Sequence, residues 1–410
     1  MITVHLPFLF AVALAGVASM IGQRLVQSIG FLKRNFIPEP LLGGLLFAFV
    51  IFLLRISNTL TITIPTQGPA VDFLVALLTA NMGMHITPSI LKHGAKLFLL
   101  FIGAGCVLAI LQFLLVLPLA FTGSYPIHTA VLTGPLSFVG APYNLNPPSQ
   151  TAPVAELFRE AYPNLKQLAQ GIMMVGVVSS VIGANFISRN LFKIAERQPP
   201  APSPVDNHPR EPLGRFSIEI SHLVILILVV ISLAFAIQHI LLAQLSWLRD
   251  DYLPVIVVAF LLGSLIRLSF SFVKGKDKFP EKAITVLLLG PTMNLVLAYA
   301  VMSIPLHLLA LLTPRLLIGA IIAVSCSVGF SWFAFRLFAK YTNKYYAAVI
   351  ATAFLAITTG WGPMGMGFLR RFIDEEGPVE PMPVIMPLNA FYLFPWMVVL
   401  LTTVILKLFG

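Results

Sequence analysis

Thr358-Thr-Gly-Trp-Gly-Pro-Met-Gly-Met-Gly, residues 358–367, decides how this chain folds. It closes a nearly continuous apolar run, 346–357, and leads straight to Arg370 and Arg371. A helix that crosses a membrane needs about 20 apolar residues. This run is shorter, and the stretch after it carries four glycines and a proline. Backbone that breaks its helix at membrane depth leaves N–H and C=O groups without partners. It persists only where it is enclosed by protein or lines a wet cavity. The stretch therefore reads as a re-entrant hairpin at a solute or ion site. Its simpler alternative is a short interfacial helix followed by a glycine-rich loop.

Composition sets the surroundings of that hairpin. Of the 410 residues, 58% are hydrophobic and 10% charged, against roughly 25% charged in soluble domains. An integral membrane protein with many spans is the class that fits, and the net charge of +10 reads as a positive-inside bias rather than a nucleic-acid surface. Cys106 and Cys326 each lie deep in an apolar segment and show no metal or disulfide spacing. The first apolar run lacks a basic leader and a small-residue cleavage site, so it reads as a span rather than a signal peptide.

Apolar segments fall at 6–26, 39–54, 71–91, 95–121 and 168–191, then at 217–243, 253–272, 284–304, 315–338 and 385–408. Between the two series, residues 194–214 contain Gln198-Pro-Pro-Ala-Pro-Ser-Pro, a density of proline that favours an extended linker. Each half has one broken segment between its fourth and fifth spans. In the first half it is 128–148, with Thr133-Gly-Pro-Leu-Ser-Phe-Val-Gly-Ala-Pro-Tyr-Asn-Leu-Asn-Pro-Pro; in the second it is 346–367. Interrupted segments at corresponding places in two halves point to a transporter's binding site. With the N-terminus outside, twenty of the 26 lysines and arginines fall on the cytoplasmic side and six outside, which sets the orientation. Each half then has an odd number of spans, so the halves are inverted and their hairpins face each other across the membrane.

The expected fold is thus an all-α integral membrane protein. It has two inverted five-span repeats, each with a re-entrant hairpin between its fourth and fifth spans, ten spans in all. Residues 1–193 form the first repeat, 194–214 a cytoplasmic linker and 215–410 the second repeat.

The residues also carry a family resemblance. Gly30-Phe-Leu-Lys-Arg-Asn-Phe-Ile-Pro-Glu-Pro-Leu-Leu-Gly-Gly-Leu-Leu resembles the run that leads into the second span of the sodium/glutamate symporters. Leu157-Phe and Tyr162 after the first hairpin, and Asn343-Lys-Tyr-Tyr-Ala-Ala-Val before the second, agree as well. The resemblance implies sodium-driven uptake of glutamate or a related small organic anion, with Na+ as coupling ion and no other cofactor. It also implies an elevator-like alternating-access movement in a homodimer within the inner (plasma) membrane, with both termini outside. The hairpins depart from the family. Where it usually carries Gly-Gly-His-Gly-Thr, this chain has Phe138-Val-Gly-Ala-Pro-Tyr-Asn-Leu-Asn-Pro-Pro, and the second hairpin keeps part of the glycine spacing without histidine or cysteine.

The first hairpin offers Ser137, Gly140, Tyr143, Asn144 and Asn146 as substrate- or ion-binding residues; its amides and backbone carbonyls are hard oxygen donors suited to sodium. The plainer reading is an outer turn before span five. The second offers Thr358, Thr359, Gly360, Trp361, Gly362 and Gly365, where glycine lets backbone approach a ligand; the plainer reading is close helix packing by small residues. A second tier comprises Asn81, expected midway through span three with His85 solvated one turn later, and Thr292 with Asn294, midway through span eight. Glu39 between Pro38 and Pro40 reads as a helix start. Arg315 reads as a side chain reaching for the membrane surface. Neither hairpin contains an arginine. Paired acids, a metal cluster or an activated nucleophile at membrane depth are missing from the sequence, so it does not read as an enzyme. The rival readings are a family-related transporter of another amino acid or organic acid, an exporter, and a non-transporting or channel-like member.

Overall fold

The computed structural model describes residues 2–35, 37–66, 68–138, 157–158, 161–162, 164–195, 213–244, 254–272, 290–360, 362, 365–368 and 389–409. The linker expected at 194–214 falls almost wholly outside them, as does 139–148 of the first hairpin.

A helix occupies each of the ten apolar segments. In chain order they are α1 (Phe8–Ser28), α3 (Glu39–Ile56), α4 (Pro69–Gly83), α5 (Pro88–Ala120), α7 (Leu165–Ile194), α8 (Leu213–Gln244), α9 (Val255–Phe272), α10 (Gly290–Met302), α11 (Pro314–Ala339) and α13 (Phe394–Phe409). A short α2 (Gly30–Arg34) precedes α3. The broken segments supply α6 (Pro126–Val131), which runs into a π-helical turn Leu132–Leu136, and α12 (Lys344–Gly360). Among the described residues, six helices are long and apolar enough to cross a membrane, and four apolar ones are shorter. With that composition the chain is a predominantly helical, multi-pass membrane protein.

Helix ends follow local chemistry. Pro38 caps α3, with Glu39 in its first turn and Pro40 just inside, as expected where an orphan N–H is not needed. Thr313 caps α11 by accepting the Leu316 N–H at 3.4 Å. The Arg315 guanidinium lies where a β-carbon on Gly123, in the turn after α5, would be. One departure from an all-α chain is a pair of short parallel strands, β1 (Ile2–His5) and β2 (Leu60–Thr63). Both are rich in β-branched residues, which suit a pleated edge.

The helices sort into two bundles. In one, α1 packs on α3 and α10, α3 on α10, α8 on α4 and α9, and α4 on α9 and α10. Small residues make its seams: β-carbons on Gly22 or Gly43 would collide with the backbone of the partner across the α1–α3 crossing, and on Gly83 or Gly263 across α4–α9. In the other, α5 packs on α6 and α11, α7 on α11 and α12, and α11 on α12, with α13 against α5 and α6. Phe101 of α5 and Phe330 of α11 close on Phe354 of α12, with ring centroids 5.0 and 5.8 Å away. From Ala347 to Gly360 every residue of α12 is buried. A 3₁₀ turn, Leu306–Leu311, rests on both α7 and α3 and so touches both bundles.

Candidate functional site

Helix α7 carries the meeting point of the two broken segments. Gly176 and Ser180 lie one turn apart, on the same face of the helix. A β-carbon on Gly176 would collide with the Thr359 carbonyl oxygen and with the ring of Phe138. One on Gly360 would collide with the Ser180 hydroxyl. The last described residues of the first broken segment and the end of α12 therefore touch a single patch of α7. Ser137, Phe138, Ser180, Thr358 and Thr359 are all buried there.

The hydroxyls of this patch share one orientation of their chemistry. Ser137 donates to the Leu132 carbonyl at 2.5 Å, Ser180 to Val177 at 2.8 Å, Thr358 to Phe354 at 2.8 Å and Thr359 to Leu355 at 2.6 Å. A hydroxyl has one proton and two lone pairs. With each proton directed into its own helix, each of the four oxygens keeps its capacity to accept.

Beside this patch the helices are irregular. Gly134 in the π-helical turn sits at φ −120°, ψ −112°, next to Pro135, and such turns recur at functional sites. Thr133 donates to the Thr129 carbonyl at 2.8 Å, and the Thr129 and Tyr162 hydroxyls are 2.5 Å apart. The Gln112 amide of α5 crosses to α11 and donates to the Ser327 hydroxyl at 2.8 Å. Gln112, Ser180 and Ser327 were not singled out from the sequence. Gln112 had a signal, because it is an amide inside the apolar run 95–121; the two serines had none beyond their burial in apolar surroundings.

The remaining candidates divide by location. Gly362 would meet the Ala390 carbonyl if it bore a β-carbon, and Gly365 would meet Ile357, so the chain after Gly360 turns back along α12. Gly140, Tyr143, Asn144, Asn146 and Trp361 lie outside the described residues. Asn81, Thr292 and Asn294 belong to the other bundle, on α4 and α10. Asn81 is not midway along its helix but in the last turn of α4, which ends at Gly83. It is fully buried, its Nδ2 donating to the Leu77 carbonyl at 2.8 Å, while Oδ1 has no hydrogen-bond partner among the described residues. Asn294 sits in the second turn of α10 as described, and His85 lies just past α4, partly buried rather than solvated.

Comparison with known proteins gives one family. The family described as Sodium/glutamate symporter matches residues 4–375. Proteins named Sodium/glutamate symporter from Escherichia coli (strain K12) and Shigella flexneri are each 22% identical over 398 residues, covering 95% of this chain and 95% of theirs.

Proposed function

This chain belongs to the sodium/glutamate symporter family, and from that premise we propose that it is a secondary transporter coupling sodium entry to uptake of glutamate or a related small organic anion. The observation that carries the reading is the convergence of Phe138, Thr359 and Gly360 on Gly176 and Ser180. Two broken helices meeting on the inward face of a third is the arrangement in which backbone can face a solute at membrane depth. The four acceptor hydroxyls suit the sodium ion and the amino group of an amino acid. The carboxylates are left to backbone N–H groups at the broken helix ends.

The finer architecture belongs to the same proposal. Ten spans in two inverted repeats with re-entrant hairpins are supported by the way contacts pair between the halves. The α1–α3, α1–α10 and α3–α10 contacts of one bundle have counterparts in α8–α9, α8–α4 and α9–α4, and α5–α6 has its counterpart in α11–α12. Segregation of both hairpins into one bundle supports an elevator-like shift of that bundle against the other, in a plasma-membrane homodimer with both termini outside. Cysteines introduced at Gly68 and Ser203 should label from opposite sides of the membrane; labelling from the same side would remove the inverted arrangement.

Uptake of radiolabelled glutamate into proteoliposomes tests the activity. An inward sodium gradient should drive accumulation that a potassium gradient does not. If glutamate fails while another amino or carboxylic acid accumulates with sodium, the transporter reading stands with a different solute, the alternative favoured by the unlike hairpin side chains.

A further inference from the structure

Away from the hairpins, a cavity of about 210 Å³ opens between α3, β2 and the segment that leaves α10. Its lining includes Ile51, Phe52, Arg55, Thr61, Ser303 and His307. Its lining contains no carboxylate. Among the described residues, the Arg55 guanidinium and the His307 imidazole make no hydrogen bond or ion pair. Burial first, and the Arg55 charge second, hold the His307 pKa below its ordinary value, so at neutral pH Arg55 carries the charge and His307 stands beside it as a neutral imidazole. The Ser303 hydroxyl gives its proton to the Tyr299 carbonyl at 2.7 Å, and the Thr61 hydroxyl remains free to turn toward a ligand. One arginine with an imidazole, two hydroxyls and apolar side chains in a single lining matches one ligand chemistry: a compact anionic group on a short apolar body.

We propose that this cavity binds the charged end of a small organic anion, with Arg55 holding the carboxylate or phosphate, His307 joining it, and Ile51 and Phe52 taking the apolar body. The site is separate from the hairpin patch and does not depend on the transport reading. Its position gives it reach. His307 lies in the 3₁₀ turn that rests on α7, where a β-carbon on Gly171 would come within 3.1 Å of the Leu308 carbonyl. A ligand bridging Arg55 and His307 therefore ties α3 of one bundle to the segment seated on α7 of the other.

The test uses the full chain in phosphatidylcholine nanodiscs with 4-methylpentanoate as probe and 4-methylpentanamide as its uncharged counterpart. The carboxylate should raise Tm by roughly 2 °C near saturation, and the amide should leave it unchanged. Arg55→Gln and His307→Gln should each reduce that shift, and Arg55→Lys should keep part of it. Equal shifts from acid and amide, or an undiminished shift in Arg55→Gln, would overturn the proposal. The acid–amide difference is read on the unaltered protein, so the result stands even where a variant folds poorly. Phosphatidylglycerol in the nanodiscs separates the sources. If it stabilises the unaltered protein but not Arg55→Gln, and removes the acid's effect, the anion is a lipid headgroup. If the acid's effect persists, the anion is a free solute.

Discussion

Helices α8 and α12 are both apolar, yet they live in different solvents. Helix α8 is built from Leu, Ile and Val and presents Ile225, Val229 and Ile240 outward. In α12 the positions 347–360 hold five alanines, three threonines and a glycine, and every one of them is buried in protein. Lipid tails are as apolar as leucine, so hydrophobicity does not draw helices together in a bilayer; close backbone approach does, and it needs small residues. Side-chain size, not hydropathy, separates the helix that faces lipid from the helix that sits inside. The same small residues let Thr359 and Gly360 reach α7, so the packing device and the proposed solute site are one stretch of chain.

That comparison can be broken at several points. Gly176→Leu should do the most damage, because the added side chain would occupy the space of Phe138 and the Thr359 carbonyl. Overpacking there should cost about 1–3 kcal/mol of stability, and displacement of both hairpins should lower uptake roughly a hundredfold. Thermal unfolding and initial rates of sodium-driven uptake read the two effects. Thr359→Val keeps the shape and removes the acceptor oxygen. Its sodium concentration for half-maximal uptake should rise roughly tenfold, the size of one lost polar contact, with little change in Tm. An unchanged sodium dependence would reduce that hydroxyl to helix packing.

Gln112→Leu removes the bond to Ser327 between α5 and α11; about 0.5–1.5 kcal/mol of stability should be lost, measurable by denaturation in detergent. At His307 the effect is smaller and depends on pH. Its folded-state pKa lies below the ordinary value, so the folded protein binds fewer protons than the unfolded chain as pH falls through that range. Stability from this group is present at neutral pH and should decline as pH drops below about 6.5. Arg55 from α3 is the other charged group of the cavity lining. His307→Gln should flatten that part of the Tm profile. Ile225→Leu on α8 should change stability by less than about 0.5 kcal/mol, since the side chain meets lipid in both forms.

Much of this was legible before the coordinates. Runs of apolar residues located ten apolar helices, six of them long enough to cross a membrane, because segment length and hydropathy are properties of the chain itself. Gly134 and Pro135 marked the irregular π-helical turn, and Gly360 marked the last residue of α12. Pro38, Glu39 and Pro40 marked where one began. What the sequence withheld was partnership. Ser180 and Ser327 look like ordinary small residues in apolar runs, and only the crossing of α7 with α12 and of α5 with α11 gives them roles. Asn81 read as a site residue because an amide in hydrocarbon needs a reason. The fold places it in the other bundle, in the last turn of α4. The cavity at Arg55 and His307 joins residues some 250 positions apart in the chain, and no local pattern announces it.

The account rests on Thr359 and Ser180 facing the transported solute. Thr359→Cys, placed in a Cys106→Ser, Cys326→Ser background and reconstituted in proteoliposomes, puts a single thiol at that point. The rate of its modification by a small, membrane-impermeant thiosulfonate reads access directly. Sodium and glutamate together should slow the reaction several-fold, with either alone having less effect. A rate indifferent to both solutes, in a variant that still accumulates glutamate, would place the transport pathway elsewhere.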